Sequence, residues 1–106
     1  MERDKKEKER EEPLFFIGVA AKITKCHPHT LRLYEQMGLV KPLRKGGKRV
    51  YSLQDIARIK VIRTLTQDFG VNLAGVEIIL NLMNKLKEME QELEKLTETI
   101  EEGDEK

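Results

Sequence analysis

The segment Gly18-Val19-Ala20-Ala21-Lys22-Ile23-Thr24, a break at Cys26-His27, and then Pro28-His29-Thr30-Leu31-Arg32-Leu33-Tyr34-Glu35-Gln36-Met37-Gly38 carry the architecture of this chain. Val19, Ala20 and Ile23 fall on one face at helical spacing, which predicts a short first helix. Pro28 suits the first turn of a second helix, because its missing N–H would have no helical partner there. That second helix runs to about Met37, where Gly38 can take the left-handed conformation without a Cβ clash. Two short helices joined by a tight turn make a helix-turn-helix.

Downstream, Leu39 to Tyr51 reads as two short extended pieces around Lys45-Gly46-Gly47-Lys48, since Gly-Gly accepts the positive φ values of a tight hairpin. This is a wing. Ser52 then opens Ser-x-x-Asp, with Asp55 standing in for the usual capping-box Glu, and Leu53, Ile56, Ile59, Ile62 and Leu65 form an apolar stripe. A third helix therefore packs beneath the head and ends near Phe69-Gly70. Asn72 can cap a fourth helix from Leu73. In that helix Ile79, Leu82, Leu86, Met89, Leu93, Leu96 and Ile100 are spaced alternately three and four residues apart, as at heptad a and d positions. So narrow a stripe, flanked by Glu and Lys, suits a seam with a second copy of the chain; a solvated or intramolecularly packed helix is the alternative reading. In an antiparallel seam Lys85 and Glu92 of opposite chains would pair at the flanks, adding little.

The chain is thus read as mainly α: a charged tail at 1–13, a winged helix-turn-helix domain at 14–78, a coiled-coil dimerisation helix at 79–100 and an acidic tail at 101–106. A length of 106 residues suits about one small domain. The formal charge of +1 conceals a strong asymmetry: −1 over residues 1–12, +9 over 13–66 and −7 over 67–106. A basic head on an acidic stalk is the electrostatic footprint of a phosphate-binding surface. Lys45 and Lys48 in the wing turn read either as phosphate contacts or as a solvated turn. His29 and Thr30 lie near a helix N-terminus, where backbone amides attract phosphate.

Other chemistries find little purchase. There is no phosphate-cradling glycine loop and no paired nucleophile and base, so neither an enzyme nor a cofactor is expected. A metal site at Cys26-His27-Pro28-His29 is rejected, because adjacent ligands before a proline are crowded and no second cysteine exists. The lone Cys26 fits a reducing compartment, and the absence of a secretory segment or membrane-length apolar run predicts a cytoplasmic protein.

Thr30-Leu31-Arg32-Leu33-Tyr34-Glu35, then Gly38-Leu39-Val40 with Pro42 and Arg44, then Arg49-Val50-Tyr51 and Asp55 resemble the MerR family of transcription regulators. The resemblance covers about Phe16 to Leu80, with helix, wing and following helix in the same order. Within that family, His27-Pro28-His29-Thr30-Leu31-Arg32 and the segment from Leu65 through Phe69-Gly70 to Val76 are similar to the heat-shock repressors called HspR. The resemblance implies a homodimer on double-stranded DNA at an inverted-repeat operator, with Arg32 and Tyr34 contacting DNA from the second helix, Tyr34 reading equally as a core residue whose hydroxyl touches a phosphate. It also implies contacts from the wing through Arg44 and Arg49, with Tyr51 beside them. Arg32 could read guanine or clamp a phosphate, or instead pair with Glu35. For HspR relatives the resemblance further implies repression of chaperone operons with a DnaK-type chaperone as co-repressor. Regulation of another stress or metabolic operon, and a coiled-coil interaction module that binds no DNA, are the competing functions. With six residues after Ile100, no effector-binding domain is expected.

Overall fold

A computed structural model describes residues 12–104 of the chain, which divide into two compact units that part between Gly70 and Val71. Most of the charged tail read at 1–13, and the last two residues of the acidic tail, lie outside the described residues.

The first unit opens with β1 (Leu14–Phe16) and passes directly into α1 (Ile17–Thr24). The turn to α2 (Pro28–Gln36) is made by Lys25, whose φ of 58° is left-handed and whose N–H bonds back to Ala21 and Lys22 carbonyls. His27 is the N-cap of α2: its Nδ1 accepts from the His29 N–H at 3.1 Å, and Pro28 follows in the first turn. Gly38, at φ 74°, lets the Leu39 N–H turn back onto the Tyr34 carbonyl at 2.9 Å and so ends the helix.

The wing is a two-residue hairpin of β2 (Leu43–Lys45) and β3 (Lys48–Ser52), with Lys45 opposite Lys48. Gly46 and Gly47 both have positive φ, as a type I′ turn requires. β3 is also the centre of a three-stranded antiparallel sheet, because β1 pairs along its other edge with Phe16 opposite Val50. The sequence reading placed no strand there. Three residues are too few to display alternation, and β1 is a strand only because β3 offers a free edge.

Ser52 ends the sheet and caps α3 (Leu53–Arg63) through a reciprocal pair: Asp55 N–H to Ser52 Oγ at 3.1 Å, and Ser52 N–H to Asp55 Oδ2 at 3.0 Å. The last turn widens into a π-helix, Thr64–Asp68, and Gly70 follows with a left-handed φ of 66°. Ile56, Ile59 and Ile62 are buried, whereas Leu53, the first residue of the predicted stripe, is 56% exposed. They join Ala20, Leu31, Tyr34, Leu39, Val40, Val50 and Tyr51 in the core. The buried face of α1 is also not the one predicted. Ala20, Ala21 and Thr24 turn inward while Val19 and Ile23 remain exposed. Small residues let neighbouring elements approach closely, and Thr24 tolerates burial because its hydroxyl donates to the Ala20 carbonyl at 2.8 Å.

The second unit is dominated by α4 (Leu73–Asp104). Asn72 caps it, with Oδ1 accepting from the Gly75 N–H at 2.8 Å. A Cβ at Gly75 would lie 2.8 Å from Val71 Cγ1 and 3.3 Å from that same Asn72 oxygen, so the glycine keeps the cap open. The helix continues past Ile100, taking in the start of the segment read as an acidic tail. Val76 and Leu80 are buried and Ile79 half-buried, but Leu82, Leu86, Met89, Leu93, Leu96 and Ile100 are each 54–64% exposed. Among the described residues no helix is long and apolar enough to cross a membrane.

Candidate nucleic-acid interface

The helix-turn-helix and the wing meet around one carboxylate. Glu35, near the end of α2, receives Arg49 through its Nε and Arg44 through Nη2 at 3.4 Å, so both wing strands are tied to the helix. Arg44 also donates to the Gly47 carbonyl at 3.4 Å, which steadies the hairpin tip. Glu35 and Arg49 are half-buried and Arg44 is about half exposed. Partial burial lessens the solvent screening of the Arg49 pair, at a desolvation cost that offsets part of the gain.

Beside this cluster lies an open cleft of about 420 Å³ lined by Phe16, Ile17, Arg32, Arg44, Gly47, Lys48 and Arg49. Four cations and no carboxylate line it. Arg32 is exposed and forms no ion pair among the described residues, so the pairing with Glu35 considered from sequence is taken by the wing arginines instead. Lys48 Nζ sits 6.0 Å from the Phe16 ring centroid, at the limit of a cation–π contact. The lining sets Phe16 and Ile17 beside four cations, which suits an extended polyanion. Lys45 is exposed on the hairpin just outside this lining, while His29 and Thr30 occupy the first turn of α2, with the Thr30 N–H bonded to the His27 carbonyl at 2.9 Å.

Both tyrosines that the resemblance implied as DNA contacts are buried. Tyr51 is 0% exposed and Tyr34 5%, so neither ring presents a surface. Tyr51 faces inward from β3 and serves as core, a placement that argues against the DNA contact the resemblance implied for it. Its hydroxyl is buried without a hydrogen-bond partner among the described residues. Burial, then the nearby Glu35 carboxylate, pushes that hydroxyl above its ordinary pKa of 10.0. Burial likewise raises Tyr34, with Cys26 as the next cause. Cys26 is itself buried, its thiol directed to the Thr24 carbonyl at 3.7 Å.

Sequence reasoning assigned Glu35 no organising role and left Phe16 out of the site. Glu35 is visible as the single acidic residue among many cations from Pro13 to Gln54, a signal of an internal counter-charge. Its partners are nine and fourteen residues away, set by the packing of wing on helix rather than by local spacing.

Residues 15–83 match the family model described as the MerR HTH family regulatory protein. The chain is 43% identical over 79 residues to a Streptomyces coelicolor protein carrying the name heat shock protein HspR, covering 74% of this chain and 52% of that one. It thus spans about half the length of that relative. It is 36% identical over 97 residues to the HTH-type transcriptional regulator GlnR of Bacillus anthracis, 85% of this chain and 74% of that protein. A third relative, from Haemophilus influenzae, is named as a homologue of the HTH-type transcriptional regulator ZntR, at 30% identity over 82 residues, 76% of this chain and 60% of the relative.

Proposed function

The chain belongs to the MerR family of helix-turn-helix regulatory proteins, and from that premise we propose that it is a sequence-specific DNA-binding regulator, working as a homodimer on an inverted-repeat operator to repress heat-shock operons. The observation that carries this reading is the cationic cleft in which Arg32 of α2 faces the wing cations Arg44, Lys48 and Arg49. In this reading α2 enters the major groove, Arg32 reads a base edge or clamps a phosphate, and the wing lies against the adjoining backbone. Lys45, Lys48, His29 and Thr30 add phosphate contacts. Glu35 lowers the number of free cations but fixes Arg44 and Arg49 of the wing against α2, so less ordering of the wing is left to be done on binding.

Dimerisation is proposed to use the exposed stripe of α4. Burying an apolar side chain of this size is worth roughly 1.5–3 kcal/mol, and about a dozen of them from two chains offset an association cost of about 4–15 kcal/mol. Repression follows from occupancy: a dimer over a promoter excludes the polymerase. The heat-shock assignment is supported by the name of the Streptomyces relative, and a DnaK-type chaperone as co-repressor is part of the same proposal. A second reading, control of another operon, is favoured by the Bacillus regulator, which the chain matches over more of both lengths.

Selection of bound fragments from a random duplex library, with the protein alone and then with a DnaK-type chaperone, tests the proposal. An enriched inverted repeat is expected, bound more tightly when the chaperone is present. No enrichment in either condition would refute sequence-specific regulation. An enriched repeat indifferent to the chaperone and absent from chaperone promoters would favour the second reading.

A further inference from the structure

A second cationic cleft lies away from the wing. Ile23, Thr24 and Lys25, from the end of α1 and its turn, and Lys60, Arg63 and Thr64, from the end of α3, enclose an open concavity of about 270 Å³. Three cations converge on it and no carboxylate lines it. None of the three forms an ion pair among the described residues. The Arg63 Nε is buried without a hydrogen-bond partner among the described residues, so it is the rest of the guanidinium that meets the cleft.

The simplest local explanation, cations soothing helix C-termini, does not account for this cluster. Lys60 and Arg63 are not at a free helix end, because the chain continues as a π-helix to Asp68. Only α1 terminates at the cleft, contributing a partial charge of about −0.5 against three full positive charges. The surplus calls for an external anion. Position says which kind: Lys25 stands three residues before Pro28, where α2 begins, so it is within about 10 Å of the first turn of that helix. A duplex engaged by the N-terminal turn of α2 carries a phosphate every few ångströms at that distance.

We propose that Lys25, Lys60 and Arg63 form a second backbone clamp, gripping a phosphodiester of duplex DNA beside the N-terminal end of α2, independently of the wing. The inference rests on the reading of this chain as a DNA-binding regulator. Thr64 contributes a hydroxyl to the lining and Arg63 its positive charge. This clamp adds affinity and orientation but no base discrimination, since it meets only backbone.

The test compares the wild-type protein with Lys25→Gln, Lys60→Gln and the double variant, titrated onto a selected and a random duplex over a range of salt. Glutamine preserves the left-handed strain at position 25 and removes only charge. For a dimer, losing one phosphate per head lowers affinity for both duplexes about ten- to thirtyfold near 0.15 M salt and reduces the log–log salt slope by about 2. The ratio between selected and random duplex stays unchanged. Unaltered affinity and slope in the folded double variant, with the wild-type protein still binding the selected duplex, would overturn the clamp while leaving the DNA reading intact. Inorganic phosphate perturbing the amides of Thr24, Lys25 and Thr64, combined with unaltered duplex binding, would assign the cleft to a free anion and overturn it as well. Failure of the wild-type protein to bind any duplex removes both proposals together.

Discussion

Arg32 and Arg49 show how one carboxylate sorts equivalent side chains into different tasks. Arg49 is bound to Glu35 and half-buried, while Arg32, three residues before Glu35 on the same helix, projects free into the cleft. Arg32→Ala is therefore expected to cost about 1–3 kcal/mol on a selected duplex and to relax discrimination, whereas Lys48→Ala weakens all duplexes alike and lowers the salt slope. Competition titrations of selected against random DNA measure both; equal losses for Arg32→Ala would show that it only holds backbone. Tyr51 gives a prediction of another kind. Its buried, unpartnered hydroxyl costs stability, so Tyr51→Phe is expected to gain about 1 kcal/mol in urea unfolding at neutral pH. Because burial raises the Tyr51 pKa, the folded state holds its proton more tightly than the unfolded state does. That contribution is intact below about pH 10 and is lost as pH rises through the raised value, so Tyr51→Phe should blunt the alkaline fall in Tm, with Tyr34 supplying the remainder. At this scale the sequence was informative about charge and uninformative about direction: Arg32, Arg44 and Arg49 could be picked out by type and place, but the inward turn of Tyr51 depends on which face of β3 meets the core.

Among the elements, those with local signals were legible. Pro28 and Gly38 bracket α2, Gly46-Gly47 makes the hairpin, and the Ser52–Asp55 capping box starts α3, each because a backbone demand is met by a residue nearby. Ser52→Ala removes the side-chain acceptor for the Asp55 N–H and should cost about 1 kcal/mol. In a domain of this size that is a fall in Tm of roughly 4–8 °C, read by circular dichroism at fixed protein concentration. A negligible change would mean that solvent or another group replaces the cap. The elements that sequence left obscure are those fixed from outside. β1 exists because β3 has an edge to offer, and the inward face of α1 is chosen by what packs against it, so Ala21 and Thr24 join Ala20 there in place of the more apolar Val19 and Ile23. The π-helical turn at Thr64–Asp68 likewise has no periodicity of its own in the sequence; there Thr66 Oγ1 donates to the Arg63 carbonyl at 3.1 Å.

For the molecule as a whole, the charge asymmetry and the heptad stripe point to separate tasks for the two units: a cationic head for nucleic acid and a long helix for association. The heptad positions were readable because a period of 3.5 is a property of the sequence alone, and six of the seven remain exposed in the single chain. What covers them is a matter between chains. Leu86→Glu with Leu93→Glu, placing charges within the proposed seam, is expected to give monomers in sedimentation velocity and to weaken operator binding sharply, because two half-sites then bind independently. A dimer that survives both substitutions would move the interface elsewhere. Hydroxyl-radical footprinting on a selected duplex decides whether this chain reads DNA as a two-fold pair of heads. Two protected backbone blocks, related by a dyad and separated by about one helical turn or a whole multiple of it, are the predicted result. Uniform cleavage, or protection that ignores sequence and shows no dyad, would contradict it.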